Sequence, residues 1–142
     1  MSKEIIARTS ILLDAPVATV WNAVTDPAEV KKYFFGTDLV TSWKVGEPIY
    51  FRGEWEGQAY EDKGTVLRYE PQKQLQYDYF SSFSDKEDLP ENYQTITYEV
   101  EPRDGKTLLS ITQTNVPTTE QKDHSEENWN MVLQELKKLV EG

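Results

Sequence analysis

Between Ile5 and Leu13 the residues Ile5, Ala7, Thr9, Ile11 and Leu13 share one parity, the period-2 signature of a half-buried strand. The pattern then changes period. Asp14-Ala15-Pro16 offers a capping side chain and a proline suited to a first helical turn. Val17, Val20, Trp21 and Val24 follow at i, i+3, i+4 and i+7. A second helix start lies at Asp26-Pro27-Ala28-Glu29. There Asp26 is the N-cap, Pro27 takes the first helical position, Glu29 is placed to reach back, and Val30, Tyr33 and Phe34 come next. Two short helices in tandem are predicted after the first strand.

From Gly36 to Thr114 the alternation is again strand-like, and Gly, Pro and Asx residues punctuate it at the intervals of an antiparallel meander. Six strands are predicted: Asp38 to Trp43, Pro48 to Trp55, Gln58 to Tyr69, Gln74 to Phe80, Tyr93 to Glu101 and Lys106 to Thr114. Turn chemistry separates them at Lys44-Val45-Gly46-Glu47, Glu70-Pro71-Gln72-Lys73 and Pro102-Arg103-Asp104-Gly105, the last with an Asp-Gly pair that accepts positive φ. The stretch from Ser81 to Glu91 is poor in apolar residues and reads as a solvated, mobile connection. Thr118-Thr119-Glu120-Gln121 matches a capping box. It opens the longest helix, with Trp129, Val132, Leu133, Leu136, Leu139 and Val140 on one face. Its acidic residues come early and Lys137 and Lys138 late, the order the helix dipole favours. There is no internal repeat and no linker, so residues 1–142 are expected to form a single α+β domain.

Composition narrows the function classes. A chain of 142 residues with 37% apolar and 12% aromatic residues is globular and large enough for one core. No run approaches the roughly 20 consecutive apolar residues of a membrane-spanning helix, and the N-terminal residues do not resemble a secretory signal. A cytoplasmic protein that does not insert into membranes is expected. The absence of Cys and the single His leave no thiolate nucleophile, no Cys-based cluster and no His-rich metal site, so neither a metal nor a cofactor is predicted. A net charge of −10 without a basic cluster argues against nucleic-acid partners.

The order strand, two short helices, meander and long C-terminal helix, together with particular phrases, resembles a known superfamily. Ala15-Pro16-Val17-Ala18-Thr19-Val20-Trp21-Asn22-Ala23-Val24-Thr25-Asp26-Pro27 looks like the opening phrase of the SRPBCC, or START-like, superfamily, in its branch related to the ATPase activator of the Hsp-ninety chaperone. Gly64-Thr65-Val66 with Pro71 and Leu75, the hairpin Gly105-Lys106-Thr107-Leu108-Leu109, and Trp129 with Leu133, Leu136 and Leu139 resemble later phrases of that branch. The resemblance implies a helix-grip fold: a curved antiparallel sheet of about six to seven strands wraps the C-terminal helix and encloses a cavity that binds diverse ligands.

The residues that could line such a cavity are aromatic. Phe34, Phe35, Trp43, Tyr50, Phe51, Trp55, Tyr60, Tyr77, Tyr79, Phe80, Tyr98 and Trp129 form the candidate set, and ordinary core packing accounts for much of it. Leu75, Tyr77 and Tyr79 share one strand face, as do Ile96, Tyr98 and Val100. Whichever face meets the helix is therefore an apolar wall carrying phenolic hydroxyls. The predicted ligand-binding wall comprises Phe34, Trp43, Phe51, Tyr77, Tyr79, Tyr98, Trp129 and Leu133. Its expected occupant is a small apolar or flat aromatic molecule of lipid, flavonoid-like or polyketide-like character.

Other constellations have simpler readings. His124 lies in a polar stretch and reads as a surface residue, and a metal site with Asp123 and Glu127 is disfavoured because the adjacent Asp123 does not share its helix face. Glu54 and Glu56, with Glu61-Asp62 nearby, could do acid–base chemistry but fit a polar outer face. Arg52, Arg68 and Arg103 are candidates to meet a ligand carboxylate or phenolate, although Arg52 faces solvent if Phe51 faces the cavity. No phosphate loop, Ser-His-Asp grouping or HExxH motif is present, so no catalytic residue is assigned. Two further readings stand beside ligand binding: a protein-interaction module docking on a chaperone or another basic partner, and a cyclase- or hydratase-type enzyme on the same fold.

Overall fold

The computed structural model describes residues 5–34, 36–55, 57–81 and 87–141. Strands β1 (Ala7–Leu13), β2 (Asp38–Thr41), β3 (Pro48–Trp55), β4 (Gln58–Glu70), β5 (Gln74–Tyr79), β6 (Gln94–Arg103) and β7 (Lys106–Gln113) form one antiparallel sheet in the order β1-β7-β6-β5-β4-β3-β2. Helices α1 (Val17–Thr25) and α2 (Pro27–Tyr33) link β1 to β2 across the sheet, and α3 (Thr119–Glu141) closes the chain. This is the helix-grip arrangement. Among the described residues no helix is long and apolar enough to cross a membrane.

On the inner face the strands turn one parity toward α3, with β4 changing parity after Val66. Leu13, Ile49, Phe51, Val66, Leu75, Tyr77, Ile96, Tyr98, Leu109 and Ile111 are buried there, against Trp129, Val132, Leu133 and Leu136 of α3. Polar bonds fix the helix over β1. Glu126 accepts from the Arg8 amide at 2.9 Å, Thr9 Oγ1 bonds Asn130 Oδ1 at 2.6 Å, and Glu141 accepts from the Asp14 amide at 2.9 Å. Thr118 Oγ1 caps α3 by accepting from the Gln121 amide at 3.0 Å.

The curvature comes from β4, the longest strand. Its first half pairs with β3 through Thr65, and its second half pairs with β5 from Val66 onward, with a register shift between Val66 and Arg68. A Cβ at Gly64 would lie 1.7 Å from the Asp78 carbonyl oxygen, so only glycine admits this approach of β5. The bend carries β3 and β2 around the helix. Opposite it, the β6–β7 turn uses Asp104 and Gly105 at φ 52° and 81°, as the Asp-Gly pair predicts.

Several local expectations are corrected. Asp14 does not cap α1: Pro16 is the N-cap residue, with no side-chain bond, and Asp14 instead offers its amide to Glu141. Asp26 does cap α2, accepting from the Ala28 amide at 3.0 Å, but Glu29 pairs with Lys32 rather than reaching back. Strand β2 stops at Thr41 because Thr41 Oγ1 accepts from the Trp43 amide and Trp43 turns to φ 57°. Strand β1 begins at Ala7, and β5 ends at Tyr79, with Phe80 making an isolated bridge to Lys63. Residues Pro90–Asn92 form a short 3-10 turn, while most of the connection from Ser81 to Glu91 lies outside the described residues.

Candidate functional site

The space between sheet and α3 is filled by aromatic rings in two connected groups. In one, Trp43 stacks on Tyr69 at 5.5 Å between centroids, and Tyr69 meets Trp21 at 5.7 Å. Both indoles are anchored: Trp43 Nε1 donates to the Thr25 carbonyl at 2.8 Å and Trp21 Nε1 to the Tyr69 hydroxyl at 3.3 Å. In the other group, Phe51 touches Phe34, Tyr77 and Tyr79 at 6.4, 5.4 and 5.8 Å. Tyr98 meets Tyr77 at 6.2 Å, and Trp129 stands edge-on to both Phe34 and Tyr98 at 5.9 Å. Edge and offset geometries of this kind follow the ring quadrupoles.

At the centre is a cavity of about 10 Å³ lined by Val24, Val30, Tyr33, Phe34, Leu39, Trp43, Phe51, Tyr77 and Tyr98. That is about the room of one water molecule. The Tyr77 and Tyr98 hydroxyls bond one another, and burial pushes both phenols well above their ordinary pKa. Tyr33 is raised in the same way and donates to the Ala23 carbonyl at 3.0 Å. These hydroxyls therefore remain neutral hydrogen-bonding groups inside an apolar shell. A second, open groove of about 390 Å³ lies on the outside between α1, α2 and the end of α3, bordered by Ala18, Thr19, Asn22, Ala23, Glu29, Leu139 and Val140.

Of the predicted wall, Phe34, Trp43, Phe51, Tyr77 and Tyr98 border the central cavity. Trp129 packs behind Phe34 and Tyr98 and donates from Nε1 to Gln113 at 2.9 Å. Tyr79 sits beyond Phe51, and Leu133 is buried one turn along α3 from Trp129. Phe35, Glu56 and the Trp55 side chain lie outside the described residues. Tyr50 is on the outer face, where the Arg52 guanidinium lies 4.9 Å from its ring centre, and Phe80 stacks on Tyr93 away from the cavity.

The charged candidates divide differently from the sequence expectation. Arg52 pairs with Glu61 at 2.6 Å, Arg68 with Glu70 at 3.4 Å and Arg103 with Glu101 at 3.3 Å. All three guanidiniums are on the exposed surface, because strand alternation turns Arg52 away from the Phe51 face and the other two flank turns. None meets the cavity. His124, Asp123 and Glu127 are exposed, and no metal-ligating cluster occurs among the described residues. Asp62 is the correction that matters most. It is not part of the outer face with Glu61 but 7% exposed on the inner one, where its Oδ2 accepts from the Tyr79 hydroxyl. Burial and the adjacent carboxyl group raise the Tyr79 phenol well above its ordinary pKa.

Tyr33, Leu39, Tyr69 and Trp21 were not among the predicted wall residues. Tyr69 reaches the inner face only because the β4 irregularity changes the strand's parity after Val66. Asp62 had a usable signal, since it shares parity with Tyr60, Gly64 and Val66.

Comparison with known proteins places this architecture. The profile of the family described as Activator of Hsp90 ATPase homolog 1-like protein matches residues 14–141. The solution structure of ChR145 from Cytophaga hutchinsonii is 42% identical, with a TM-score of 0.86 over 99% of this chain and 97% of that one. DynU16, a protein of the dynemicin biosynthetic locus, is 18% identical with a TM-score of 0.80, covering 96% of this chain and 47% of its own. The Aha1 dimer from Colwellia psychrerythraea is 19% identical with a TM-score of 0.74, covering 96% of each chain. No curated protein sequence matches significantly.

Proposed function

The chain belongs to the family of Activator of Hsp90 ATPase homolog 1-like proteins, and from that membership we propose that it binds a small, flat, apolar or aromatic molecule between its sheet and α3. The observation that carries the reading is the convergence of Phe34, Phe51, Tyr77 and Tyr98 on one internal void, with a pair of neutral phenol hydroxyls at its edge. An apolar pocket with a few placed polar groups is the usual form of a small-molecule site. The void of about 10 Å³ is too small for such a ligand, so binding requires a ring to move. Phe34 is the ring for this: it is only half-buried and follows directly on the end of α2. DynU16 supplies a biosynthetic setting for the same fold.

The test is a thermal-shift screen against fatty acids, flavonoids and aromatic polyketides, followed by the same screen on Tyr77→Phe and Tyr98→Phe. Stabilisation by one class that weakens in the folded phenylalanine variants is expected. A screen in which no class stabilises the protein overturns the reading.

The family description favours one second reading, a protein partner of the chaperone kind. With a net charge of −10, such docking is electrostatic and weakens with salt, because exposed charges are screened beyond about 8 Å at physiological ionic strength. Failure to retain purified Hsp90 at low salt refutes it.

A further inference from the structure

Strands β5, β6 and β7 meet at one rim of the grip: β5 ends at Tyr79, β6 begins opposite it at Gln94, and β7 ends at Gln113. Parity puts both glutamines on the inner face, Gln94 with Ile96 and Tyr98, and Gln113 with Leu109 and Ile111. The chain on either side is pinned. Asn115 Nδ2 donates to the Glu91 and Tyr93 carbonyls at 2.9 Å, and the Thr114 amide donates to the Thr95 carbonyl at 2.9 Å. Trp129 of α3 covers this rim. Its indole N–H donates to Gln113 Oε1 at 2.9 Å, and Gln113 Nε2 donates in turn to Gln94 Oε1.

The polarity of this relay is set by its first member. An indole nitrogen is a donor only, so Gln113 must turn its oxygen to Trp129 and its nitrogen to Gln94. Gln94 has to meet that nitrogen with its own oxygen, which turns its NH2 group away from the relay. Rotating either amide would set two donors face to face. Gln113 is buried, whereas Gln94 is half-buried at the rim, and among the described residues no acceptor meets its NH2 group. Tyr79, opposite Gln94, touches Phe51 at 5.8 Å, and Trp129 touches Tyr98 at 5.9 Å, so the amide stands one ring away from the central void. We propose that Gln94 is a ligand contact at the mouth of the interior site, and that its NH2 group selects flat apolar molecules carrying a ring carbonyl. This rests on the interior-binding reading and names the ligand class for it. The aromatic rings take the flat body and Gln94 donates to the carbonyl oxygen. A neutral acceptor suits a chain of net charge −10, whose field disfavours carboxylate ligands. Gln113 and Trp129 are positioning residues, since they act only by fixing which end of the Gln94 amide faces the ligand.

Indane and indan-1-one share one bicyclic framework and differ in the carbonyl, so their titration by amide NMR into wild type and Gln94→Glu separates the claims. Glutamate at this position keeps an oxygen for Gln113 Nε2 and replaces the outward NH2 group by a second oxygen. In the wild type, indan-1-one should shift the Gln94 side-chain amide resonances and indane should not. Gln94→Glu should weaken indan-1-one about fivefold, the range of one neutral hydrogen bond, and leave indane within about twofold. If Gln94→Glu does not fold, Gln94→Leu makes the same comparison. Trp129→Phe removes the donor that orients the relay, and it should narrow the difference between the two probes while indane still binds; an unchanged difference contradicts the relay. An equal loss for both probes in the Gln94 variant, or no loss for either, overturns the carbonyl contact and leaves the interior site standing. Binding of neither probe to the wild type overturns both.

Discussion

Replacing Phe34 by alanine separates packing from ligand access, because this ring touches both the wall and the helix. Its neighbours are Tyr33 and Phe51 at 6.4 Å and Trp129 at 5.9 Å. Truncation vacates roughly 100 Å³, which at about 24 cal/mol per Å³ of residual cavity corresponds to ~2.4 kcal/mol. A fully buried Phe→Ala change costs about 3–5 kcal/mol, and the half-burial of Phe34 puts the expected loss at about 2–3 kcal/mol. For a chain of this size each kcal/mol lowers the melting temperature by roughly 4 °C, so a drop of about 8–12 °C is expected by calorimetry. The vacated space joins the existing void of about 10 Å³ and approaches the roughly 150 Å³ of an apolar cavity that takes benzene. Saturating benzene or indole should therefore restore several degrees to the variant and little to the wild type, following the ligand-linkage relation. Two results refute the reasoning. A loss below about 0.5 kcal/mol means that Phe34 is not part of the packed interior. A full loss without rescue by either compound means that the wall collapses into the space, and Phe34 is then not the ring a ligand displaces.

Gly64→Ala places a methyl group 1.7 Å from the Asp78 carbonyl and is expected to prevent folding or to cost several kcal/mol, read by circular dichroism; a variant within two or three degrees of wild type contradicts the account of the bend. Thr118→Ala removes the bond to the Gln121 amide and should cost about 1 kcal/mol in urea unfolding, with an unchanged slope. Tyr33, Tyr77, Tyr79 and Tyr98 all have phenol pKa values raised by burial. The unfolded chain loses these protons near pH 10 and the native state does not, so stability is complete below about pH 10 and falls as pH rises above it, by up to ~1.4 kcal/mol per unit for each group. Absorbance at the phenolate band should show the four ionising only as the protein unfolds, and smooth early titration of all the tyrosines contradicts their burial.

Alternation and turn chemistry were enough to read the elements, because every strand but β4 keeps one face on the core. Ile49, Phe51 and Gly53, or Leu75, Tyr77 and Tyr79, could be assigned to one face from period alone. What failed were positions where tertiary contact overrides period. Tyr69 joins Trp43 only after the β4 irregularity shifts parity, and Trp43 leaves β2 through a positive φ and bonds a helix carbonyl. Asp62 was misjudged for a different reason. Polarity suggested the outer face, while its parity with Tyr60 and Val66 pointed inward, and the Tyr79 bond that makes its burial tolerable belongs to another strand. The size of the void was not legible either, since it depends on how rings from α2, β3, β5, β6 and α3 interlock.

The most direct measurement is an amide NMR titration of the whole chain with flavone. Interior binding predicts saturable shifts on β3, β5 and β6 around Phe51, Tyr77 and Tyr98 and on α3 around Trp129. Absence of shifts, or shifts confined to the outer groove at Ala18, Asn22 and Leu139, contradicts it.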